Sequence, residues 1–579
     1  MSKSTEISFS PVTMEEWENL SLKTLKSGSL DELITNTFEN IKLLPLYTSQ
    51  NSEKLEGADV PPGIAPFLRG VQNPSEQARP WKVAQWLTSQ ESMTLLEQIN
   101  SLESKGQDVI SFQTKKFKEE DLTQWFKSMD SNPLKNILVE LDENHVHWLN
   151  KQGWNKELTG FIGFDPIKCM LEKQSSTANL STYYDVLSSA AKQVPEKLKT
   201  ILIDSTVFHN SGADMVTELA SILASAVEHI EQLEQRGLPS ENILNRILVR
   251  IGVGGNFFLE VAKVRALRYL WYKLSSAYNI KSEESKKISI AAETSMVTKT
   301  IFDENVNVLR AGNEAFAAVV AGVDYLHIAP FDVCLKDKKE LADRIARNTH
   351  HLLAEESNLS HALDSAGGSW YIESLTKELA EKAWEMFLTI ENRQGLLACV
   401  ESGWLQECIQ KSREKKIKAV KTRELEIVGT NVFVDGNDRK PTETLNAGHN
   451  LVHFPSYRLS QSFEKWRLYF NQSPAKVALI GLGTLKEYKD RRDMARNWFA
   501  SAGVMTEMVD GLEAVKSEDY KAICLCGTGD SYQNWNHSST IPIFAAGKPM
   551  SHEIIKSWIY PERPVEEVVE SWVSKGGNE

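Results

Sequence analysis

The chain has 579 residues, 41% hydrophobic and 25% charged, with a formal net charge of −13. No apolar run approaches the ~20 residues that cross a bilayer, and the acidic balance opposes counterion-driven binding to a phosphate backbone, so membrane and nucleic acid are excluded as partners. At ~150 residues per domain the length calls for two or three domains.

The opening, MSKSTEISFSPVTMEEW, has neither the cationic and apolar layout of a signal peptide nor the Arg-rich, acid-poor character of a transit peptide. A cytoplasmic location is the expectation. Residues 1–40 read as an N-terminal arm with helical character. From about residue 105 to 375, short apolar runs alternate with long amphipathic ones, which is βα repetition. The strand-like runs are Val109 to Phe112, Ile137 to Leu141, Phe161 to Phe164, Ile201 to Ile203, Ile247 to Ile251, Ile288 to Ala292 and Tyr325 to Ile328. After the fourth, Ser211 and Asp214 have capping-box spacing, and Val216, Leu219, Ala220 and Leu223 mark one face of the helix they would start. Another helix is expected from Phe257 to about Tyr278, after Gly254 and Gly255. Seven such units favour a (β/α)₈ barrel over an open sheet, and 41–400 are assigned to it.

Residues 401–472 read as a connector, including the basic helix face Lys411 to Arg423 and the turn VDGNDRKPTET. A second βα series in 473–579, with KVALIGLG, a helix from Tyr488 to Ser501, YKAICLCG and TIPIFAAG, fits a small flavodoxin-like doubly wound domain. Six scattered cysteines do not suggest a disulfide framework. Cys524 and Cys526 have no further ligands at metal spacing and are expected as buried strand thiols.

Few motifs carry chemistry by themselves. Gly481-Leu482-Gly483 follows a strand, but Lys486 stands where a dinucleotide fingerprint needs its third glycine, so a tight turn is expected. His327 lies on a barrel strand as a base or a satisfied core histidine. His350 and His351 are consecutive and would diverge on a helix. Asp204, Glu293 and Asp332 fall near strand carboxyl ends, where barrel enzymes build their sites, but each could equally cap the next helix.

Longer stretches identify relatives. NFFLEVAKVRALRYLW (Asn256 to Trp271), NVNVLRAGNEAFAAVVAGVDYLHIAPFD (Asn305 to Asp332) and RIARNTHHLLAEESNLSHALDSAGGSWYIESLT (Arg344 to Thr376) resemble the methylmalonyl-CoA mutases, with shorter matches at LPLYT (Leu44 to Thr48) and RPW (Arg79 to Trp81). The resemblance implies a barrel that takes an acyl-CoA along its lumen and a C-terminal domain that holds adenosylcobalamin over one mouth. It also implies particular polar groups, and this sequence departs from each. Where active members have T-M-Y before R-P-W, this chain has Pro74-Ser75-Glu76. Where they have Tyr-His, the His donating to the thioester carbonyl, it has Thr206 and Val207, and valine cannot donate. Ala291 to Thr300 replaces H-x-Q-T-S-G-W-S-L-T, with Glu293 at the amide. The D-x-H-x-x-G loop whose histidine binds cobalt reads GLGTLKEYKDRRD, and no histidine occurs between His453 and His537.

The resemblance is therefore to the small subunit of the heterodimeric enzyme. No catalytic, cofactor-binding or metal-binding residue is assigned to this chain, and adenosylcobalamin and substrate are expected on a large partner subunit. The connector and Trp17 to Leu33 are expected to wrap that partner. The alternative is a diverged, cobalamin-independent acyl-CoA isomerase working through Glu293, Asp332 or His327.

Overall fold

Eight short parallel strands form a barrel in this computed structural model, which describes residues 12–26, 28–73, 81–87, 94–173, 177–436, 451, 453–555 and 557–573. They are β1 (Lys82–Val83), β2 (Ile110–Gln113), β3 (Asn136–Glu140), β4 (Thr159–Phe164), β5 (Leu198–Asp204), β6 (Ile247–Val253), β7 (Ile290–Thr294) and β8 (Tyr325–His327). Neighbours pair in the order β1-β8-β7-β6-β5-β4-β3-β2. The two ends of that series are joined where Asp108 N–H donates to Val83 O (3.3 Å) and Leu87 N–H to Ser111 O (2.9 Å). Seven strands carry a readable apolar run. The eighth, β1, is only two residues long and too short to show a period.

Alternation along each strand divides the core in two. Ile137 and Val139 of β3 pack outward among the helices, while Leu138 between them points into the lumen. The outer layer includes α1 (Met215–Glu234), α2 (Phe257–Ala277), α3 (Val306–Ala321) and α4 (Trp370–Asn392). The cap of α1 differs from the expected one. Gly212, in the left-handed region at φ +106°, ends a short helix, Thr206–Ser211. The chain restarts at Asp214, whose carboxylate accepts Thr217 N–H at 2.8 Å, while the Ser211 hydroxyl donates back to Val207 O.

The longest family-like stretches meet one another. Arg265 of α2 is fully buried and pairs with Asp364 and with Glu373 of α4, the latter at 2.6 Å. Arg69 reaches the same Asp364 at 2.8 Å, and Gly368 N–H donates to Glu373 at 2.9 Å. Gly367 has to lack a side chain, because a Cβ would stand 2.1 Å from Asp364 Oδ2.

The segment expected as a connector has a helix on its basic stretch, α5 (Trp404–Lys421), and a second one, α6 (Gln461–Gln472), that was not expected, while most of the VDGNDRKPTET turn lies outside the described residues. Between them the chain crosses the carboxyl mouth of the barrel. Tyr457 N–H donates to Asn210 O and Leu459 N–H to Val297 O, both at 2.9 Å, and Glu464 accepts Ile301 N–H at 2.9 Å. Lys416, from the basic stretch, reaches inward to donate to Ala213 O at 2.8 Å.

The second sheet contains β9 (Lys476–Gly481), β10 (Met505–Met508), β11 (Ala522–Cys526), β12 (Ile543–Ala546) and β13 (Ser557–Ile559). It is fully parallel in the order β10-β9-β11-β12-β13, the flavodoxin-like winding. Cys524 and Cys526 are buried on one of its faces, as expected. The helix on that face is α7 (Leu485–Ala500), one turn longer at its start than the periodicity suggests, because Thr484 and Glu487 form a capping box.

Arg265→Leu leaves two buried carboxylates short of their cation. It is expected to lower the unfolding free energy by ~3–5 kcal/mol, measured by urea denaturation followed by circular dichroism.

Candidate functional site

The barrel axis is filled by two layers set by strand register. The first takes one residue from each strand or its immediate flank: Ala84, Val109, Leu138, Phe161, Leu202, Leu248, Ala291 and Tyr325. They form one apolar cluster, and the most exposed, Tyr325, is only 7% accessible. Two residues further along each chain, on the same side of the strand, lie Trp86, Ser111, Glu140, Gly163, Asp204, Arg250, Glu293 and His327. An apolar disc therefore lies beneath a charged one.

The charged layer is tightly connected. Arg250 donates through Nη1 to Glu140 (2.7 Å) and Asp204 (3.2 Å), and its Nε lies 3.3 Å from Glu293. Lys168 enters from the helix after β4 and donates to Glu140 at 2.7 Å and Asp204 at 2.8 Å. Trp86 stacks on the guanidinium with 4.9 Å to its ring centre and donates its indole N–H to Glu293 at 2.9 Å. Burial raises the Glu140 carboxyl, but Arg250 and Lys168 outweigh it and hold the group down at about 2. Asp165 accepts three backbone N–H groups, yet burial still pushes it up to about 6. Burial also raises Glu293 against the pull of Arg250, although a quarter of its side chain meets solvent. His327 is pushed down to about 3 by burial and by the Arg250 charge, so it is neutral at pH 7.

The structure brings together some of the sequence candidates and separates others. Glu293 and His327 are direct register partners on β7 and β8, and Asp204 joins them in the same layer. Asp332 does not join this layer: its carboxylate accepts Lys339 N–H at 2.6 Å and shapes the loop after β8. His350 is buried with Nε2 3.4 Å from Gln85, whereas His351 lies against Gly106, so the two diverge as expected. Among the described residues, no group of three or more His, Cys, Asp or Glu side chains is arranged to hold a metal ion.

One constellation was not legible in sequence. Ser295, just past β7, has its hydroxyl 2.8 Å from His209 Nε2, and His209 Nδ1 lies 3.5 Å from Glu218 of α1. The order is that of nucleophile, base and orienting acid, but the partners are 86 residues apart in the chain. Ser295 is 2% accessible and its hydroxyl already accepts Val297 N–H, while Glu218 also binds Ser205 and Lys263. The arrangement ties the loops after β5 and β7 together.

In the second sheet, side chains stand at the strand ends where a ligand would enter. Doubly wound sheets bind at strand carboxyl ends where the winding reverses, here between β9 and β11. Leu482 closes that point, donating its N–H to Cys526 O at 2.7 Å and lying so close to Gly527 that a Cβ there would stand 2.8 Å from it. Beside it Tyr532, 1% accessible, accepts Gly527 N–H at 2.8 Å and donates to Ala546 O at 2.6 Å. Arg491 stacks over its ring and donates to Gly527 O.

The sequence pattern of the family described as methylmalonyl-CoA mutase matches residues 36–116 and 113–467. The chain belongs to the methylmalonyl-CoA mutase family. The methylmalonyl-CoA mutase small subunit of Porphyromonas gingivalis is 28% identical over 566 residues, 91% of this chain and 89% of that protein. The small subunit of Propionibacterium freudenreichii subsp. shermanii is 26% identical over 578 residues, 93% and 88% of the two chains. The methylmalonyl-CoA mutase of Cereibacter sphaeroides is 30% identical over 458 residues, 72% of this chain and 64% of its own length.

Against what methylmalonyl-CoA mutases require, the residues present do not fit the cobalamin the family implies. The crevice at the strand ends is occupied by Leu482 and Tyr532. The domain's own histidines are also placed elsewhere: His537 meets the Trp535 ring edge-on, and His552 accepts Ile554 and Ile555 N–H groups. At the Tyr-His position, Thr206 donates its N–H to Asp204 and Val207 is buried. Pro74 to Glu76 and two residues of the RPW match lie outside the described residues.

Lys168→Met removes one cation from Glu140 and Asp204 and is expected to cost ~3–5 kcal/mol. Glu140 titrates at about 2 when folded and at ~4.3 when unfolded. Its contribution of ~3 kcal/mol is therefore fully present above pH ~4.3 and lost as the pH falls towards 2. Asp165, at about 6 when folded, acts in the opposite sense: its contribution is complete below pH ~3.9 and lost as the pH rises through 6. Urea titrations across pH should show stability rising from pH 7 to 5 and falling below pH ~4, and the fall should be smaller and end at higher pH in the Lys168 variant, whose Glu140 has lost one of the cations that hold its carboxyl down.

Proposed function

We propose that this chain is the small, non-catalytic subunit of a heterodimeric methylmalonyl-CoA mutase that acts in the cytoplasm. On this reading a large subunit binds adenosylcobalamin and the acyl-CoA and interconverts methylmalonyl-CoA and succinyl-CoA. The filled lumen carries the proposal. A pantetheine arm passing along the axis would have to displace eight close-packed apolar side chains and then break a buried ion network. Either step costs more than a thioester chain returns in contacts, because a buried pair deprived of one partner is itself penalised by several kcal/mol. Packing at the strand ends of the second sheet supports the same reading for the cofactor.

One observation favours a second reading, a cobalamin-independent acyl-CoA isomerase. Glu293 and His327 are adjacent, as an acid–base pair would have to be, although burial and the Arg250 charge oppose protonation of His327. Against it, Glu293 is committed to Arg250 and Trp86, and the apolar disc closes the barrel just beneath.

The experiment uses the full chain alone and mixed with its large subunit, each incubated with adenosylcobalamin and desalted. The expected result is visible corrin absorbance only in the complex, and no methylmalonyl-CoA binding to the chain alone by calorimetry. Stoichiometric corrin on the chain alone would overturn the proposal. Acyl-CoA turnover by the chain alone that is lost in Glu293→Gln or His327→Ala would establish the second reading instead.

A further inference from the structure

The outer face at the amino ends of α2 and α4 carries a run of aromatic rings open to solvent. Phe316, Phe257, Phe258, Tyr371 and Tyr47 follow one another with ring centres 4.9, 5.3, 5.3 and 4.9 Å apart. Phe258 is 47% exposed, and Trp370, next to Tyr371, is 48% exposed. The run opens into a groove of about 580 Å³ between residues 43–47, just after the arm, and 368–371 at the start of α4. Leu33, on the arm side of that groove, leads back to the Met14–Thr24 helix. That helix has a complete capping box and no buried residue. Eleven residues make a marginal helix in water without a packed face, so rings, groove and helix each present surface that the described residues leave uncovered.

The geometry points to this face as the surface that receives the large mutase subunit, an inference that rests on the small-subunit reading above. Contiguous exposed aromatic surface marks protein association, and aromatic side chains are the usual anchors of such contacts. Two observations select a different, homologous chain over a second copy of this one. The net charge of −13 opposes self-association. The relatives that match nearly the whole chain are named small subunits, and that name belongs to one member of an unequal pair.

The test uses the full chain with its large subunit purified from the same organism. The affinity of the complex is measured for wild type, for Phe258→Glu with Trp370→Glu, and for Leu485→Glu, an apolar position at the start of α7 that is 57% exposed. The double variant is expected to weaken the complex at least about thirtyfold, with the control unchanged. Hydrogen exchange on the unmodified proteins gives a readout independent of any variant's folding: peptides covering 257–259 and 368–372 should gain protection in the complex. Wild-type binding with unaltered affinity in the double variant and no protection of those peptides would overturn this surface while leaving the small-subunit reading intact. Failure of wild type to bind any large subunit would overturn that reading, and this inference with it. A homodimer of the chain alone that the double variant dissociates would show that the occupant is a second copy, which also overturns the inference.

Discussion

A guanidinium removed from water must be answered by anions close enough to repay its lost hydration, and Arg250 imposes that condition at the centre of the barrel. Glu140 and Asp204 answer it directly, Glu293 approaches from the next strand, and Lys168 balances the acids it leaves in excess. Every one of these groups except Lys168 sits at an inward position fixed by strand register, so the ion network and the register specify one another. A one-residue slip of β6 would turn Arg250 outward into the helix layer and leave its carboxylates unpaired. The charged layer thus fixes the register that the apolar disc requires, and Asp204 also ties the network to the loop after β5 through Thr206.

The two kinds of sequence in this chain do different physical work. The stretches that most resemble the mutase family meet outside the barrel, where Arg265, Asp364 and Glu373 fasten α2 to α4. The departures from the family that fall on described residues lie around the lumen and at the strand ends of the second sheet. Scaffold and site are therefore separable here. The first can be kept by a handful of buried ion pairs and glycine contacts while the second is refilled with side chains. The loops around the mouth of the lumen are tied down, as Ser295, His209 and Glu218 tie two of them.

The fold was legible where a local pattern expresses it. Apolar runs disclosed seven barrel strands of eight and the three inner strands of the second sheet, because burial on both faces of a strand leaves a continuous signal, while its edge strands β10 and β13 were not read. The first strand was not legible, since two residues carry no period. The start of α1 was misplaced by three residues because Gly212, in the left-handed region, breaks the helix that Ser211 ends. The lumen was less legible still. Glu293 and His327 stand out as single residues near strand ends, but their pairing, and the separation of Asp332 from them, depend on which strands neighbour one another. Arg250 and Lys168, which dominate the electrostatics, read as unremarkable basic residues because their partners are 28 to 110 positions away.

Tyr532 has a bearing on how readily such a chain could change its role. Its hydroxyl bridges the ends of two strands from a buried position, and Arg491 and Leu482 pack around it. Supplying a histidine to the turn after β9 would leave that crevice as full as before. Emptying the crevice without supplying a ligand would leave a Gly527 N–H and an Ala546 carbonyl unsatisfied in the core, which is penalised by itself. Each half of such a change is therefore useless or harmful until the other is in place, so the filled crevice is held by packing and does not depend on one missing residue.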